Sequence, residues 1–161
     1  MADKMADNSV LYDPDSPLCN ATALRRATRR ISQIYDERLQ PCGLKTTQRS
    51  LLRYIDQLRG PTMGQLAGQL LLDKTALSHN LKPMIRDGYV EVTAAETDRR
   101  TKRLTLTAKG QQALAASHRL WVEIQRDFAR GLTAEQHQTL LALLDIISSD
   151  DFARQMSSSA Q

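Results

Sequence analysis

The sequence predicts a mostly α-helical protein that carries one small β-hairpin. Outside residues 89–106, apolar residues recur every three or four positions, which is the spacing of one face of a helix. Within that stretch they alternate with polar residues, as in a strand. The composition fits a folded domain, because 41% of the 161 residues are hydrophobic and 25% are charged.

The chain begins with an arm and two helices. Residues 1–16 follow neither period and are expected to form a flexible N-terminal arm. Over residues 24–39 the apolar side chains form one stripe, which predicts a first long helix that Pro41 should end. A second helix is predicted over residues 48–58, with its leucines and Ile55 on the inner face.

Two further helices, joined by a tight turn, are predicted next. Thr62 and Gln65 have the spacing of a capping box, and Asp73 lies where the N-cap of the second of these helices belongs. Pro83 removes a backbone hydrogen bond inside that helix at a cost of about 3 kcal/mol, so we expect a kink or a shortened helix. Gly88 should end it. The residues that should face the core are Leu77, Leu81, Met84 and Ile85.

The hairpin and two more helices complete the chain. Residues 89–92 and 103–106 should pair as strands, and the charged tip between them, residues 96–101, should project from the fold. Thr107 and Thr133 lie at the N-cap positions of the two helices that follow.

The last helix has more leucines than one face can bury. Leu140, Leu144 and Ile147 should face inward, which leaves Leu141 and Leu143 for a partner surface. Beyond this helix, the serine-rich end is expected to be loose.

One face of the helix that follows Asp73 is polar and basic. Positions 74, 78, 82 and 86 recur every four residues and therefore lie on one side, opposite the leucines. Such a face can enter the major groove of duplex DNA, but it could equally be an ordinary solvated face. The residues of the face are Lys74, Thr75, Ser78, His79, Lys82 and Arg86.

The order of the elements favours the DNA-binding interpretation. A capped short helix, a turn, a polar helix and a hairpin with a basic tip follow one another as in a winged helix-turn-helix. The net charge of +4 is suited to a polyanionic partner.

Three segments, in collinear order, resemble the MarR family (multiple antibiotic resistance regulators). Residues 98–101, Asp-Arg-Arg-Thr, are similar to its wing signature, residues 104–110 to its strand-to-helix junction, and residues 43–48 to the start of its second helix. The resemblance covers residues 18–147. It implies a sequence-specific regulator that binds a palindromic operator in double-stranded DNA as a homodimer, and repression that a small-molecule effector, anionic or aromatic, relieves.

The resemblance also implies roles for particular residues. The polar helix face is the recognition helix, and Arg100 reaches into a minor groove while Asp98 holds its guanidinium. A surface ion pair is the alternative for these two residues. The wing residues carried over in this way are Asp98, Arg99, Arg100, Thr101 and Lys102.

The same resemblance implies an arrangement of regions along the chain. Residues 46–107 form the winged helix-turn-helix DNA-binding region, and residues 17–45 and 108–150 form a helical dimerisation region. Residues 151–161 are then a flexible C-terminal tail.

Cys19 provides an alternative trigger. It opens the first helix much as a reactive cysteine does in the organic hydroperoxide sensors of the same family, and a helix N-terminus lowers a thiol pKa. The alternative function is a redox-sensing repressor, although Cys19 could also be an ordinary small apolar residue. A helix of roughly 30 Å separates it from Cys42, so we expect no disulfide between them within one subunit.

Several function classes are not expected. The sequence shows neither metal-ligand spacing nor a phosphate loop nor a nucleophile elbow, so we predict no metal, no cofactor and no catalysis. The longest apolar runs are far shorter than a membrane span, and no leader is evident, which predicts a cytoplasmic protein. A winged helix used as a protein interaction module is the alternative from another class.

Overall fold

The computed structural model describes residues 19–94 and 101–158, and these residues confirm the predicted fold class. They form helices joined to a two-stranded antiparallel hairpin. The elements are α1 (Asn20–Leu39), a 3₁₀ helix (Gln40–Cys42), α2 (Thr46–Gln57), α3 (Met63–Gln69), α4 (Lys74–Arg86), β1 (Val90–Ala94), β2 (Lys102–Leu106), α5 (Ala108–Arg130), α6 (Ala134–Ile147) and α7 (Asp150–Ser158). The predicted arm, residues 1–16, lies outside the described residues.

Contacts divide the chain into two compact units, one ending at Ile34 and the other beginning at Tyr35. The described part of the first unit is the longer part of α1, and its apolar stripe is open: Leu24 is 39% exposed and Ile34 is 40% exposed. In α1 as a whole, only Leu39 is buried. The helix is therefore where the sequence predicts it, but a single chain leaves most of its apolar face uncovered.

The core of the second unit lies among α2, α3, α4 and the hairpin. Its fully buried side chains come from every one of these elements, so the polar face of α4 rests on a packed base. Ile85 is an exception to the prediction, since it is 40% exposed. It lies beside the narrow stripe of α4 that the core covers. The buried residues of that stripe are Leu77, Leu81 and Met84.

The predicted helix starts are confirmed by their capping hydrogen bonds. The Thr62 hydroxyl accepts from the Gln65 amide at 3.3 Å, and the Gln65 side chain accepts from the Thr62 amide at 2.9 Å. The Asp73 carboxylate accepts from the Ala76 amide at 2.7 Å. Each contact satisfies a backbone donor that the first helical turn leaves without a partner.

Pro83 does not shorten α4, which continues to Arg86, since the fixed φ of proline is compatible with a helix. The kink expected at Pro83 stays a prediction. Gly88 then ends α4 as predicted, with φ at +73°. The amides of Gly88 and Tyr89 donate to the carbonyls of Ile85 and Met84 at 3.0 and 2.9 Å, which is a Schellman motif.

The hairpin is joined to the turn between α2 and α3. Val90 pairs with Leu106, and the register continues to Ala94 and Lys102. The Leu104 amide donates to the Pro61 carbonyl at 2.9 Å, so the chain before α3 runs alongside β2. These contacts fix the base of the hairpin, while residues 95–100 at its tip lie outside the described residues.

Helix α6 differs from its prediction. The expectation that Leu144 and Ile147 face inward is wrong for a single chain, because they are 40% and 39% exposed. None of the residues of α6 is buried, although the helix is rich in leucine and isoleucine. Leu141 and Leu143, assigned to a partner surface, are 54% and 51% exposed.

Residues 151–158, predicted as part of a flexible C-terminal tail, belong to α7. The serine before the helix supplies a cap: the Ser149 hydroxyl accepts from the Phe152 amide at 3.2 Å. Asp150 and Asp151 lie in the first turn, where negative charge is favourable. An ion pair between Arg154 and Asp151 adds to this turn.

Candidate nucleic-acid interface

The polar face of α4 is open to solvent and continuous. Its members are exposed except for Ser78, which is half-buried. The buried residues of the opposite face hold the helix against the core, so the polar face has a fixed orientation. Five of the six residues predicted for the face line one shallow depression: Lys74, Thr75, Ser78, His79 and Lys82.

Arg86, the sixth residue, lies one turn beyond this depression and is paired with its neighbour. Its guanidinium donates to the Asp87 carboxylate at 2.7 and 3.1 Å. This hydrogen bond raises the pKa of Arg86 and lowers the pKa of Asp87. Both side chains remain accessible, so Arg86 can still approach a phosphate, with its charge partly compensated.

The structure describes only part of the predicted wing. Lys102 is exposed at the start of β2, and Thr101 precedes it, half-buried, in a bend. Asp98, Arg99 and Arg100 lie outside the described residues.

Arg103 is a basic hairpin residue that the sequence reasoning did not single out. Its guanidinium turns inward and donates to the Gly60 carbonyl at 2.7 Å. It therefore fastens β2 to the turn after α2. The sequence carried a signal for this inward orientation, because neighbouring residues of a strand face opposite sides of the hairpin and Arg103 directly follows Lys102.

A cleft between α2 and α5 contains a second feature that the sequence reasoning missed. Arg49 is only 7% exposed, and its guanidinium lies 4.5 Å from the centre of the Trp121 ring. Among the described residues, its Nε has no hydrogen-bond acceptor. Burial lowers the pKa of Arg49, and the charge of Arg53 adds to this effect.

The cleft has a volume of about 410 Å³. Besides Arg49 and Trp121, its lining includes Arg53 and His118, so cationic and aromatic groups face one cavity. His118 and Trp121 stack with ring centres 6.1 Å apart. The sequence did carry a signal, because Arg49 lies three residues before Leu52 and so occupies an inward-facing position of α2.

Cys19 is exposed at the start of α1, as the redox alternative requires. A hydrogen bond with the Thr22 side chain, and further bonds with the backbone of Thr22 and Ala21, lower its pKa. Cys42 is half-buried, and its thiol donates to the Leu39 carbonyl at 3.0 Å. Both thiols are free.

Two searches of the described ranges bear on the other function classes. In residues 19–94 and 101–158, His, Cys, Asp and Glu side chains form no group that could hold a metal ion. Over the same ranges, no helix combines the length and the apolar character needed to cross a membrane.

The capped helix pair, the polar face of α4 and the hairpin define a winged helix-turn-helix protein, and comparison with known proteins agrees. A sequence profile of the MarR family matches residues 43–101. The chain is 27% identical over 106 residues to the HTH-type transcriptional regulator BilQ of Clostridium symbiosum, covering 66% of this chain and 74% of BilQ.

Solved structures give the same result. The transcriptional regulator MosR of M. tuberculosis, in complex with DNA, is 38% identical, with a TM-score of 0.69, covering 79% of this chain and 93% of MosR. A variant of MarR from E. coli, complexed with operator DNA, has the same fold at 23% identity, with a TM-score of 0.72 and coverage of 79% and 91%. The chain belongs to the MarR family of transcriptional regulators, which is not a family of enzymes.

Proposed function

We propose that this regulator acts in the cytoplasm as a homodimeric repressor that binds a palindromic operator in duplex DNA and is released by a small-molecule effector. The observation that carries DNA binding is the exposed polar and basic face of α4, held on a packed core. MosR and the E. coli MarR variant were solved with DNA, which supports the same use of this fold.

Each part of the interface has a distinct task in this proposal. Lys74, Lys82 and Arg86 contact phosphates, and Thr75, Ser78 and His79 read base edges in the major groove. The wing, with Arg100 held by Asp98 and with Arg99, Thr101 and Lys102 beside them, contacts the neighbouring minor groove and backbone.

The homodimer is supported by the apolar residues that one chain leaves uncovered. On α6 alone, Leu141, Leu143 and Ile146 are each more than half exposed. Exposed apolar side chains concentrated on one helix are typical of an interface with another protein. A second copy of the chain would bury these side chains in a symmetric interface. The dimer would then present its two copies of α4 to two half-sites, which is why the proposed operator is palindromic.

The cleft between α2 and α5 supports an effector that is both anionic and aromatic. A carboxylate there would supply an acceptor for Arg49 Nε, which has none among the described residues, and an aromatic ring could pack beside Trp121. The ligand would occupy a cavity next to α2, whose opposite side packs on the helices that hold the interface.

Selection of duplexes from a random pool by the full-length chain tests DNA binding. We expect a palindromic consensus, and affinity should fall by orders of magnitude between low and moderate salt, because several phosphates are contacted. A weak salt dependence with no consensus would instead support the protein interaction module.

The effector site is tested by titrating benzoate, with uncharged benzamide as the matched control. The chain has one tryptophan, so its emission reports the cleft directly. Benzoate should change the Trp121 emission and weaken operator binding, benzamide should do neither, and Arg49→Met should abolish the benzoate effect. Equal responses to both compounds, or an unchanged Arg49→Met variant, would place the effector elsewhere.

The redox-sensing alternative is favoured by the exposed Cys19 thiol with its lowered pKa. It differs from the effector proposal in its trigger alone, because the same operator would be released by oxidation. Peroxide treatment of the DNA complex distinguishes the two mechanisms.

A further inference from the structure

The C-terminal end of α4 is fastened to the first turn of α5 by side chains that the DNA interface does not use. The Thr107 hydroxyl, at the N-cap of α5, donates to the Gly88 carbonyl at 2.6 Å. The Lys109 ammonium donates to the Asp87 carbonyl at 2.7 Å. The same ammonium lies 4.5 Å from the centre of the Tyr89 ring.

These contacts satisfy backbone groups that the end of a helix exposes. The last carbonyls of a helix lack partners within it and form the negative end of its dipole, so a lysine there is favourable. Asp87 and Gly88 follow the last residue of α4, and their carbonyls are both used by α5. The recognition helix is therefore joined directly to α5.

The junction is also tightly packed, which leaves little freedom in the angle between the two helices. A Cβ at Gly110 would lie 2.1 Å from the Tyr89 carbonyl oxygen, closer than atoms can approach. The Gly110 amide donates to the Thr107 hydroxyl at 3.1 Å, which closes the first turn of α5 against the backbone.

Helix α5 extends this junction over a long distance. It has 23 residues, which corresponds to about 35 Å at the rise of an α-helix. A small change of angle where it joins α4 would therefore displace the recognition helix by several ångströms relative to the far end of α5. In a dimer, the distance between two recognition helices sets the half-site spacing that can be bound.

We propose that Lys109 is a positioning residue that holds the angle between α4 and α5 and thereby determines which half-site spacing the dimer accepts. This inference rests on the proposed binding of a palindromic operator. It distinguishes Lys109 from the basic residues of the interface, because its ammonium is engaged by the Asp87 carbonyl and the Tyr89 ring rather than directed at a phosphate.

Operators that differ only in spacing test the inference. Full-length parent, Lys109→Met, Lys109→Arg and Lys102→Met are titrated with duplexes that carry the selected half-sites at the parental spacing, or one base pair closer or farther apart. The parent should lose about tenfold in affinity at either altered spacing. Lys109→Met should reduce this discrimination to about threefold. The salt slope, meaning the slope of the logarithm of affinity against the logarithm of salt concentration, should stay parental. Lys109→Arg, which keeps a donor and a charge, should restore most of the discrimination between spacings.

Lys102→Met is the matched control, since it removes a lysine of the wing. It should weaken binding equally at all spacings and lower the salt slope by about one unit. If Lys109→Met does the same, Lys109 is a phosphate contact and the inference is wrong. It is equally wrong if Lys109→Met keeps the spacing profile of the parent.

Folding and the proposed function are controlled separately. Lys109 is exposed, and circular dichroism should show parental helix content for Lys109→Met. Should that variant unfold, Lys109→Gln, which removes the charge and shortens the side chain, must reproduce the relaxed spacing or the inference fails. A parent that selects no palindrome would overturn the proposed function, and the inference with it, whereas a selective parent with an unchanged Lys109→Met overturns the inference alone.

Discussion

Lys82 and Ser78 are one turn apart on α4, and their replacement should affect DNA binding differently. Lys82→Ala should lower the affinity for all sequences and reduce the salt slope by about one unit, because the lost contact is to a phosphate. Ser78→Ala should keep the salt slope and change the consensus, because a short hydroxyl acts on base edges. Salt titrations and a repeated selection measure the two effects. If the consensus selected by Ser78→Ala is the same as that of the parent, other residues read the base edges.

Cys19 should react as a thiolate at lower pH than an ordinary cysteine. Its pKa is lowered, chiefly by the hydrogen bond with the Thr22 side chain, so the fraction of Cys19 present as thiolate rises at a lower pH than in an ordinary cysteine. Alkylation by iodoacetamide, followed by mass spectrometry as pH is raised, should modify Cys19 before the half-buried Cys42. Thr22→Val should shift the Cys19 midpoint to higher pH.

A reactive thiol does not by itself make a redox switch. Since a small molecule is the proposed trigger, Cys19→Ser should keep operator binding and the benzoate response, and peroxide should release neither protein from DNA. A gel-shift titration decides the matter. If peroxide releases the parent from DNA but leaves Cys19→Ser bound, oxidation of Cys19 is the trigger and the effector proposal is wrong.

At the scale of single elements, Gly110 fixes how closely α5 approaches the end of α4. Gly110→Ala should lower the free energy of unfolding by about 2–4 kcal/mol, because its Cβ would overlap the Tyr89 carbonyl oxygen and force the two elements apart. Urea denaturation followed by circular dichroism measures the change.

Gly68→Ala is the matched control for this experiment. Gly68 is exposed in α3, and nothing lies within 4 Å of a Cβ added there. Alanine favours the helix by up to about 1 kcal/mol, so this variant should be as stable as the parent or more stable. Equal effects of the two substitutions would show that the packing at Gly110 is looser than described.

The elements that the sequence predicted correctly are those governed by local chemistry. Thr62 and Asp73 begin helices through hydrogen bonds to residues three positions later, and Gly88 ends α4 through its positive φ. Such signals depend on a few neighbouring residues and can therefore be read in a single chain. The same applies to the hairpin, whose alternation of polar and apolar residues gave its strands to within two residues.

The incorrect predictions depend on contacts beyond the neighbouring residues. Ile85 has the spacing of a core residue, but whether the core reaches it depends on how α4 is rotated against the hairpin. Helix α7 is a separate case, because its Ser149 cap and acidic first turn are local signals that were not recognised in the sequence. The buried Arg49 was missed because arginine is a surface residue in most helices.

At the scale of the whole molecule, the polar face of α4 was predictable, whereas its surroundings were not. The spacing of positions 74, 78 and 82 follows from helical geometry, so the face is determined once the helix is recognised. The fastening of α4 to α5 could not be inferred, since Lys109 and Thr107 reach carbonyls of residues about twenty positions away. Long-range contacts of this kind need the tertiary structure.

The uncovered leucines of α6 carry the prediction that concerns the whole assembly. Replacing both Leu141 and Leu143 by glutamate places two charges where an apolar interface is proposed, so the dimer should dissociate. Because the two copies of α4 would then no longer be linked, affinity for the full palindrome should fall towards that for one half-site. Sedimentation analysis and operator titration measure the two effects.

The control places negative charge on the polar side of the same helix. Gln138 is exposed on α6 and lies seven residues before Asp145, on the same side of the helix, so Gln138→Glu adds negative charge without entering the apolar surface. This variant should remain dimeric, and any loss of affinity for DNA that it shares with the leucine variant is due to charge alone. A monomeric leucine variant that still bound the palindrome as tightly as the control would show that operator binding does not require the dimer, and the homodimeric mechanism would be wrong.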